Sequence, residues 1–139
     1  QMNDMPLSKI LSSEALTFNE NLKIKDVNLQ MLNKEVTEAV VINSDNIYIG
    51  KISIHDILQT NLDHEIKIKC LIKNTHLVLD SKISLVESIE AASSFVGEFI
   101  PVKNSDNNKY VGSINESDLF QAYLKLQNQV LHIEKDTEN

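Results

Sequence analysis

Hydrophobic and polar positions along the 139-residue chain follow the same order twice. The segments "AVVINSDNIYIG" (39–50) and "FIPVKNSDNNKYVG" (99–112) each contain an apolar run, the tetrapeptide Asn-Ser-Asp-Asn, a second apolar run and a glycine. Asn and Asp tolerate the left-handed backbone conformation and hydrogen-bond to their own backbone, so this tetrapeptide between β-rich runs is typical of a tight turn. The sequence therefore predicts one β-hairpin in each half of the chain.

Helical periodicity flanks both hairpins. The predicted helix before the first hairpin carries Ile24, Val27 and Met31 on one face. The predicted helix before the second hairpin carries Leu85, Ile89, Ala92 and Val96 on its equivalent face. Ser84 and Glu87 have the spacing of a capping box. The extended pieces "EALTFNE" and "HLVLDSK" precede these helices, and a helix follows each hairpin; the last one has an apolar stripe of Leu119, Tyr123, Leu126 and Val130. Each half thus reads strand–helix–strand–strand–helix.

Units of this size are too small to bury their own helix stripes, so the two should pack on each other. The expected fold class is α+β, layered, with two repeats at 5–62 and 66–130 related as a pseudo-two-fold pair, followed by a polar tail at 131–139. The connector "NLDHEIKIKCLIK" leaves two alternatives open: Ile66, Ile68, Cys70 and Ile72 alternate as in a strand, whereas the position suggests a linker. Cys70 is expected to be a small buried residue.

Composition narrows the possible functions. The net charge of −7 argues against a nucleic-acid partner, which would need clustered Lys and Arg. No apolar run approaches the ~18 residues of a membrane span, so no direct membrane insertion is expected. The sequence contains no nucleophile–base motif, which argues against an enzyme with a catalytic residue. The Asp63-His64-Glu65 triplet lacks a second His at ligand spacing, so no metal site is predicted.

Two further segments share the pattern Gly-x-Ile-(Ser/Asn)-x-x-Asp: "GKISIHD" (50–56) and "GSINESD" (112–118). In one interpretation, Ser53 with Asp56 and Asn115 with Asp118 only cap helices. In the other, the helix start and its Ser or Asn bind a phosphate, while the Asp accepts hydrogen bonds from a ribose diol. The second interpretation predicts two quasi-equivalent nucleotide sites in clefts between the repeats. Lys51 and Lys103 lie next to the predicted clefts; each is interpreted as a solvated surface lysine, and the alternative is that it neutralises phosphate.

The repeated unit, the "FIPV" strand (99–102) and the two motifs in register resemble a tandem pair of CBS (cystathionine-β-synthase) domains, a Bateman module, over residues 5–130. The resemblance implies a non-catalytic regulatory module with no obligatory cofactor that binds AMP, ADP or ATP. It assigns phosphate contact to Ser53 and ribose contact to Asp56 and Asp118. The strand residues expected to flank adenine are Val40, Val41, Ile42, Ile100, Pro101 and Val102.

The second motif departs from this family pattern in one respect, because Asn115 stands where Ser or Thr is usual. The strands differ too, since Val40 stands where the second copy has Pro101. Either difference is able to remove binding at a site.

A narrower resemblance involves the linker "LDHEIKIKCLI" and the ending "NESDLFQAYLKL", which are similar to the C-terminal cytosolic region of bacterial CLC-family chloride channels and proton/chloride antiporters. It implies an attached transmembrane transporter domain and a location on the cytoplasmic face of the inner membrane. The stripe on the last helix and that of the short helix after Asp56 further predict a homodimer with an isologous helical interface. The alternatives are a structural dimerisation module with vestigial nucleotide sites, or the CBS pair of another transporter or of a metabolic enzyme.

Overall fold

The computed structural model describes residues 5–11, 15–72 and 76–137. Within these ranges, ten α-helices and strands follow one another in the predicted order. They are β1 (Thr17–Asn19), α1 (Ile24–Asn33), β2 (Glu38–Ile42), β3 (Tyr48–Ser53), α2 (Ile54–Gln59), β4 (Leu79–Asp80), α3 (Leu85–Ala91), β5 (Ile100–Lys103), β6 (Tyr110–Ile114) and α4 (Glu116–Thr137).

The strands form two three-stranded sheets, ordered β1-β2-β3 and β4-β5-β6. In each sheet a helix connects the first two strands, which are parallel, and a hairpin joins the last two, which are antiparallel. The predicted α+β class with two copies of strand–helix–strand–strand–helix is therefore confirmed.

Asparagine side chains build both hairpin turns, as the tetrapeptide predicted. The Asn43 Oδ1 accepts hydrogen bonds from the backbone N–H of Asp45 (2.9 Å) and of Ile47 (3.0 Å). The residues that adopt the left-handed conformation are Asn46 (φ 63°) and Asn108 (φ 60°). The second turn has one residue more, so its left-handed position falls on the asparagine after the tetrapeptide.

The two turns also hold the repeats together. The Tyr48 N–H donates to the Asn108 carbonyl (2.9 Å), and the Tyr110 N–H donates to the Asn46 carbonyl (2.9 Å). Each bond is the counterpart of the other in the second repeat, so they lie about a pseudo-two-fold axis at the hairpin tips.

Each repeat has its own apolar core. Ile24, Val27 and Met31 are fully buried, as their spacing predicted. In the second repeat Leu85 and Ala92 are buried, but Val96 is 94% exposed. The prediction for Val96 was wrong because α3 ends at Ala91, one turn before the stripe would have reached it.

Two segments, one before β1 and one in the connector, each pack into the core of the other repeat. Leu7, in the 3-10 helix Leu7–Ile10, is fully buried in the core of the second repeat, and its N–H donates to the Ile83 carbonyl (2.9 Å). Conversely, Ile68 is buried in the core of the first repeat, where its N–H donates to the Leu22 carbonyl (2.8 Å). The boundaries at residues 62 and 66 remain a prediction, but hydrogen bonds and core packing cross between the two units.

The connector is not a strand but contains a 3-10 helix, Ile68–Cys70. A three-residue turn does not keep the inward–outward alternation of a strand, so Ile68 is buried while Cys70 is exposed. The prediction that Cys70 is buried was therefore wrong.

The last helix is longer than its stripe predicted. Residues 131–137, expected in a polar tail, continue α4, while residues 138–139 and the side chain of Val130 lie outside the described part. Leu119 and Leu126 are buried in the second core, whereas Phe120 is 62% exposed and Leu124 is 44% exposed. Among the described residues, no helix has the length and apolar character that a bilayer crossing requires.

Candidate ligand clefts between the repeats

In the first motif, the end of β3 brings Ser53 to the start of α2. The Ser53 Oγ accepts a hydrogen bond from the Asp56 N–H (3.0 Å), and the Asp56 carboxylate accepts one from the Ser53 N–H (3.3 Å). This is a complete capping box, so the two residues predicted to hold phosphate and ribose satisfy each other. Asp56 also lines a cavity of about 250 Å³ beneath the connector, with Thr60 and Cys70.

The second motif forms only one of the two hydrogen bonds of a capping box. The Asn115 Oδ1 accepts a hydrogen bond from the Asp118 N–H (2.7 Å) at the start of the 22-residue helix α4. Within the described ranges, no hydrogen bond engages the Asp118 carboxylate. Asp118 is half-buried and Asn115 is exposed, so both polar groups of this motif are available to a ligand.

Beside Asn115 lies a cavity of about 180 Å³ between the two repeats, here called the second cleft. It is lined by Ala15, Leu16, Val36, Glu38, Glu98, Phe99, Ser113, Ile114 and Asn115. The start of β1 and the start of β2 from the first repeat thus face the end of β6 from the second. Asp118, one turn into α4, is not among the lining residues.

The six strand residues predicted to flank adenine lie deeper than expected. Val40, Val41, Ile100 and Val102 have no exposed surface, Pro101 is buried, and Ile42 is half-buried. None of them lines the second cleft. Glu38, the first residue of β2, and Phe99, the residue just before β5, line it instead. Periodicity could not identify them because they stand where a strand begins.

The equivalent cleft beside Ser53, here called the first cleft, can be located from the repeat. Because Gly50 corresponds to Gly112, Lys51 stands where Ser113 stands. Because Asn43 corresponds to Asn104, 61 residues later, Phe99 corresponds to Glu38. The first cleft should therefore be lined by Lys51 in the place of Ser113, by Glu38 in the place of Phe99, and by Phe99 in the place of Glu38.

The Lys51 side chain lies within the first cleft. It is only 4% exposed, its Nζ donates a hydrogen bond to the Phe99 carbonyl (2.7 Å), and it pairs with the Glu38 carboxylate. The ammonium lies 4.5 Å from the ring centroid of Phe99 and 5.2 Å from that of Phe95, within the range of cation–π attraction. The interpretation of Lys51 as a solvated lysine was wrong.

The backbone around Lys51 fits it closely. Gly97 has φ 149°, and a Cβ added there would lie 2.9 Å from the Glu38 Oε1 and 3.2 Å from the Lys51 Nζ. The Glu98 N–H donates to the same Glu38 carboxylate (3.2 Å). One sequence signal could have revealed this arrangement: a lysine at a strand position whose counterpart in the other repeat is the small residue Ser113.

The polar groups of the second cleft fall into two kinds. The exposed Asn115 and the first N–H groups of α4 can donate to an anion, and the helix dipole favours negative charge there. On the opposite side, Glu98 accepts a hydrogen bond from the Thr37 hydroxyl, and Glu38 is shared with Lys51. Carboxylates suit a ligand group that donates hydrogen bonds. In the ranges that the structure describes, no three His, Cys, Asp or Glu side chains are grouped as a metal site requires.

Residues 7–63 match the family model of the CBS domain. No protein with a curated description matches the chain. Among solved structures, CbpB in complex with c-di-AMP is 18% identical, with a TM-score of 0.79 and coverage of 94% of this chain and 91% of that one. The chain thus has the fold of a tandem pair of CBS domains.

Two other solved structures share this fold. The CBS pair domain of a putative Mg²⁺ transporter from Shewanella oneidensis is 12% identical, with a TM-score of 0.77 and coverage of 87% of this chain and 71% of that one. CBSX2 in complex with AMP is 16% identical, with a TM-score of 0.71 and coverage of 88% and 98%.

Proposed function

We propose that this chain is a non-catalytic regulatory module that binds an adenine nucleotide in the second cleft and modulates an attached membrane transporter. The observation that carries the proposal is the cavity beside Asn115, which combines anion donors at the start of α4 with apolar and carboxylate groups from the other repeat. CBS pairs with c-di-AMP and with AMP among the solved structures support a nucleotide as the ligand.

The two sides of the second cleft suit the two ends of AMP. Only the adenine end enters the cavity; the phosphate lies at its rim, at Asn115 and the helix start, and the ribose diol, outside the cavity, donates to Asp118 one turn into α4. The adenine ring packs on Leu16 and Phe99, where its amino group donates to Glu98. Inosine monophosphate lacks this amino group, so it should bind more weakly than AMP.

The first cleft does not bind a nucleotide, because the Lys51 side chain already fills it. The module therefore has one nucleotide site rather than two. Binding shifts the arrangement of the repeats and so biases the attached domain, which requires only that the ligand favours one arrangement over the other.

The test uses two matched substitutions and calorimetry with AMP. Asn115→Asp and Ser53→Asp both keep a good N-cap, so the helices remain intact, but each adds a negative charge where phosphate would lie. We expect AMP to bind wild-type protein at one site and Asn115→Asp to weaken it by about tenfold or more through like-charge repulsion. Ser53→Asp should leave the affinity unchanged.

A larger loss in Ser53→Asp than in Asn115→Asp would overturn the choice of cleft. If AMP, ADP and ATP all fail to bind at millimolar concentration, the alternative of a structural dimerisation module with vestigial sites replaces the proposal.

The attached domain is a CLC-type chloride channel or proton/chloride antiporter, as the linker and the last helix resemble those of that group. The transporter domains among the solved structures with this fold support a membrane partner. The reading frame upstream of Gln1 tests this part. Ten or more apolar segments of about 20 residues would support it, and an upstream soluble domain would overturn it.

A further inference from the structure

A cavity of about 510 Å³, here called the hairpin pocket, lies at the junction of the two repeats near the hairpin end of the strands. Tyr48 and Ile49 at the start of β3 form one wall, and Val78 and His76, just before β4, form another. Lys103 at the end of β5 and Lys69 of the connector complete the lining. It shares no lining residue with the second cleft, and none of the residues that the family resemblance assigns to nucleotide contact lines it.

The charge of the hairpin pocket is opposite to that of the chain. The whole sequence has 20 acidic and 13 basic residues, yet Lys69, His76 and Lys103 line this pocket without any carboxylate. Among the described residues, neither lysine takes part in an ion pair, since the pairs present involve other lysines. Basic groups that converge on a concavity attract an anion and hold it more strongly than they would on a convex surface.

The rest of the lining is largely apolar. Ile49 and Val78 are half-buried, so they are covered by neighbouring groups on one side and open to the pocket on the other. The volume lies within the range of about 300–1,000 Å³ that is typical of small-molecule sites, and such sites combine an apolar wall with a few polar groups. An inorganic ion alone would leave this wall without a partner.

We propose that the hairpin pocket is a binding site for a small organic phosphate, separate from the nucleotide cleft. The phosphate lies between Lys69, His76 and Lys103, and the organic part packs on Ile49 and Val78. Tyr48 closes the end of the pocket next to the contact between the hairpin turns, so a ligand here touches both repeats at their junction.

The test measures binding of phenyl phosphate and of inorganic phosphate by calorimetry. Phenyl phosphate should bind several-fold more tightly, and equal affinities would overturn the role of the apolar wall. The double variant Lys69→Gln/Lys103→Gln should weaken phenyl phosphate by about tenfold or more, because both charges that face the phosphate are removed. Lys34→Gln, at an exposed lysine just after α1, serves as the matched control and should bind as wild type does.

Two results would overturn the site. One is the absence of phenyl phosphate binding at millimolar concentration, and the other is unchanged affinity in the double variant. The variant Asn115→Asp separates this site from the nucleotide cleft: it should bind phenyl phosphate normally, and a matching loss would place the anion in the second cleft instead.

Discussion

The Nζ of Lys51 donates a hydrogen bond to the backbone carbonyl of Phe99 at 2.7 Å. This bond joins β3 of the first repeat to the residue just before β5 of the second. The ammonium is nearly inaccessible and is shared with the Glu38 carboxylate, whose side chain is 17% exposed. A buried charge is tolerated only when such partners replace its hydration. The same side chain therefore fixes the repeats together and closes the first cleft.

Lys51→Met should lower the free energy of unfolding by about 3 kcal/mol, because the Glu38 carboxylate would lose its ion pair. Urea denaturation measures this loss. Adding Glu38→Gln should recover part of it, since no uncompensated charge then remains, and a double variant as unstable as the sum of the singles would contradict this account. The matched control is Lys25→Met, at an exposed lysine paired with Glu65, which should leave the denaturation midpoint almost unchanged.

Lys51 also marks the limit of what the sequence could predict. Hairpins, helices and the repeat follow from local signals such as asparagine turns and apolar spacing, and all of these are present in the structure. Whether a lysine on a strand faces solvent or a cleft depends on what lies opposite, and here the opposite residues are Glu38 and Phe99 of two different repeats. Long-range packing of this kind leaves no trace in local periodicity.

The connector illustrates the same limit in a different way. Its alternating isoleucines fitted a strand, but the segment pairs with the chain before α1 only at one antiparallel bridge, Lys23 with Lys67, and then turns into a short 3-10 helix. The predicted motif residues were located at the starts of α2 and α4 as expected. What the sequence could not distinguish is that Ser53 and Asp56 satisfy each other, while Asp118 keeps its carboxylate available.

Leu7→Ala tests the exchange of segments between repeats. Leu7 is fully buried in the core of the second repeat, so its truncation should cost about 3 kcal/mol of unfolding free energy. Leu58→Ala makes the same chemical change at a residue that is 75% exposed, and it should cost less than about 0.5 kcal/mol. Similar denaturation midpoints for the two variants would show that the N-terminal segment is not part of the second core.

Because of the Tyr48 phenol, the free energy of unfolding should decline in strong base. Burial, and secondly the charge of Tyr110, raise the pKa of Tyr48 to about 12. In the unfolded chain tyrosine ionises near pH 10, so the contribution is fully present below about pH 10 and is lost as the pH rises through about 12. Burial also raises the pKa of Tyr110, so Tyr48→Phe should lower the amplitude of the ultraviolet step near pH 12 by one phenolate rather than abolish all ionisation in strong base. Tyr123→Phe, the control, should retain the full step, and an undiminished step without Tyr48 would refute the assignment.

The homodimer prediction now rests on one edge of the predicted α4 stripe, at Tyr123, and on the residues beside it. Leu119 and Leu126 of the predicted stripe are already buried within the second repeat. A groove of about 420 Å³ between α3 and α4 remains open, lined by Ile89, Tyr123, Leu124 and the exposed Phe120. An apolar groove with a protruding aromatic side chain suits a self-complementary contact between two copies.

Sedimentation velocity at tens of micromolar should therefore show a dimer, and Phe120→Glu should convert it to a monomer by placing a charge in the contact. Leu29→Glu changes a residue of similar exposure (59%) on α1, outside this groove, and should leave the dimer intact. A monomeric wild type would exclude the dimer, and a dimer that survives Phe120→Glu would exclude this face. Because Asn115 directly precedes α4, dimerisation through the exposed side of this helix would hold its start, and with it the second cleft, in a fixed position relative to the partner copy.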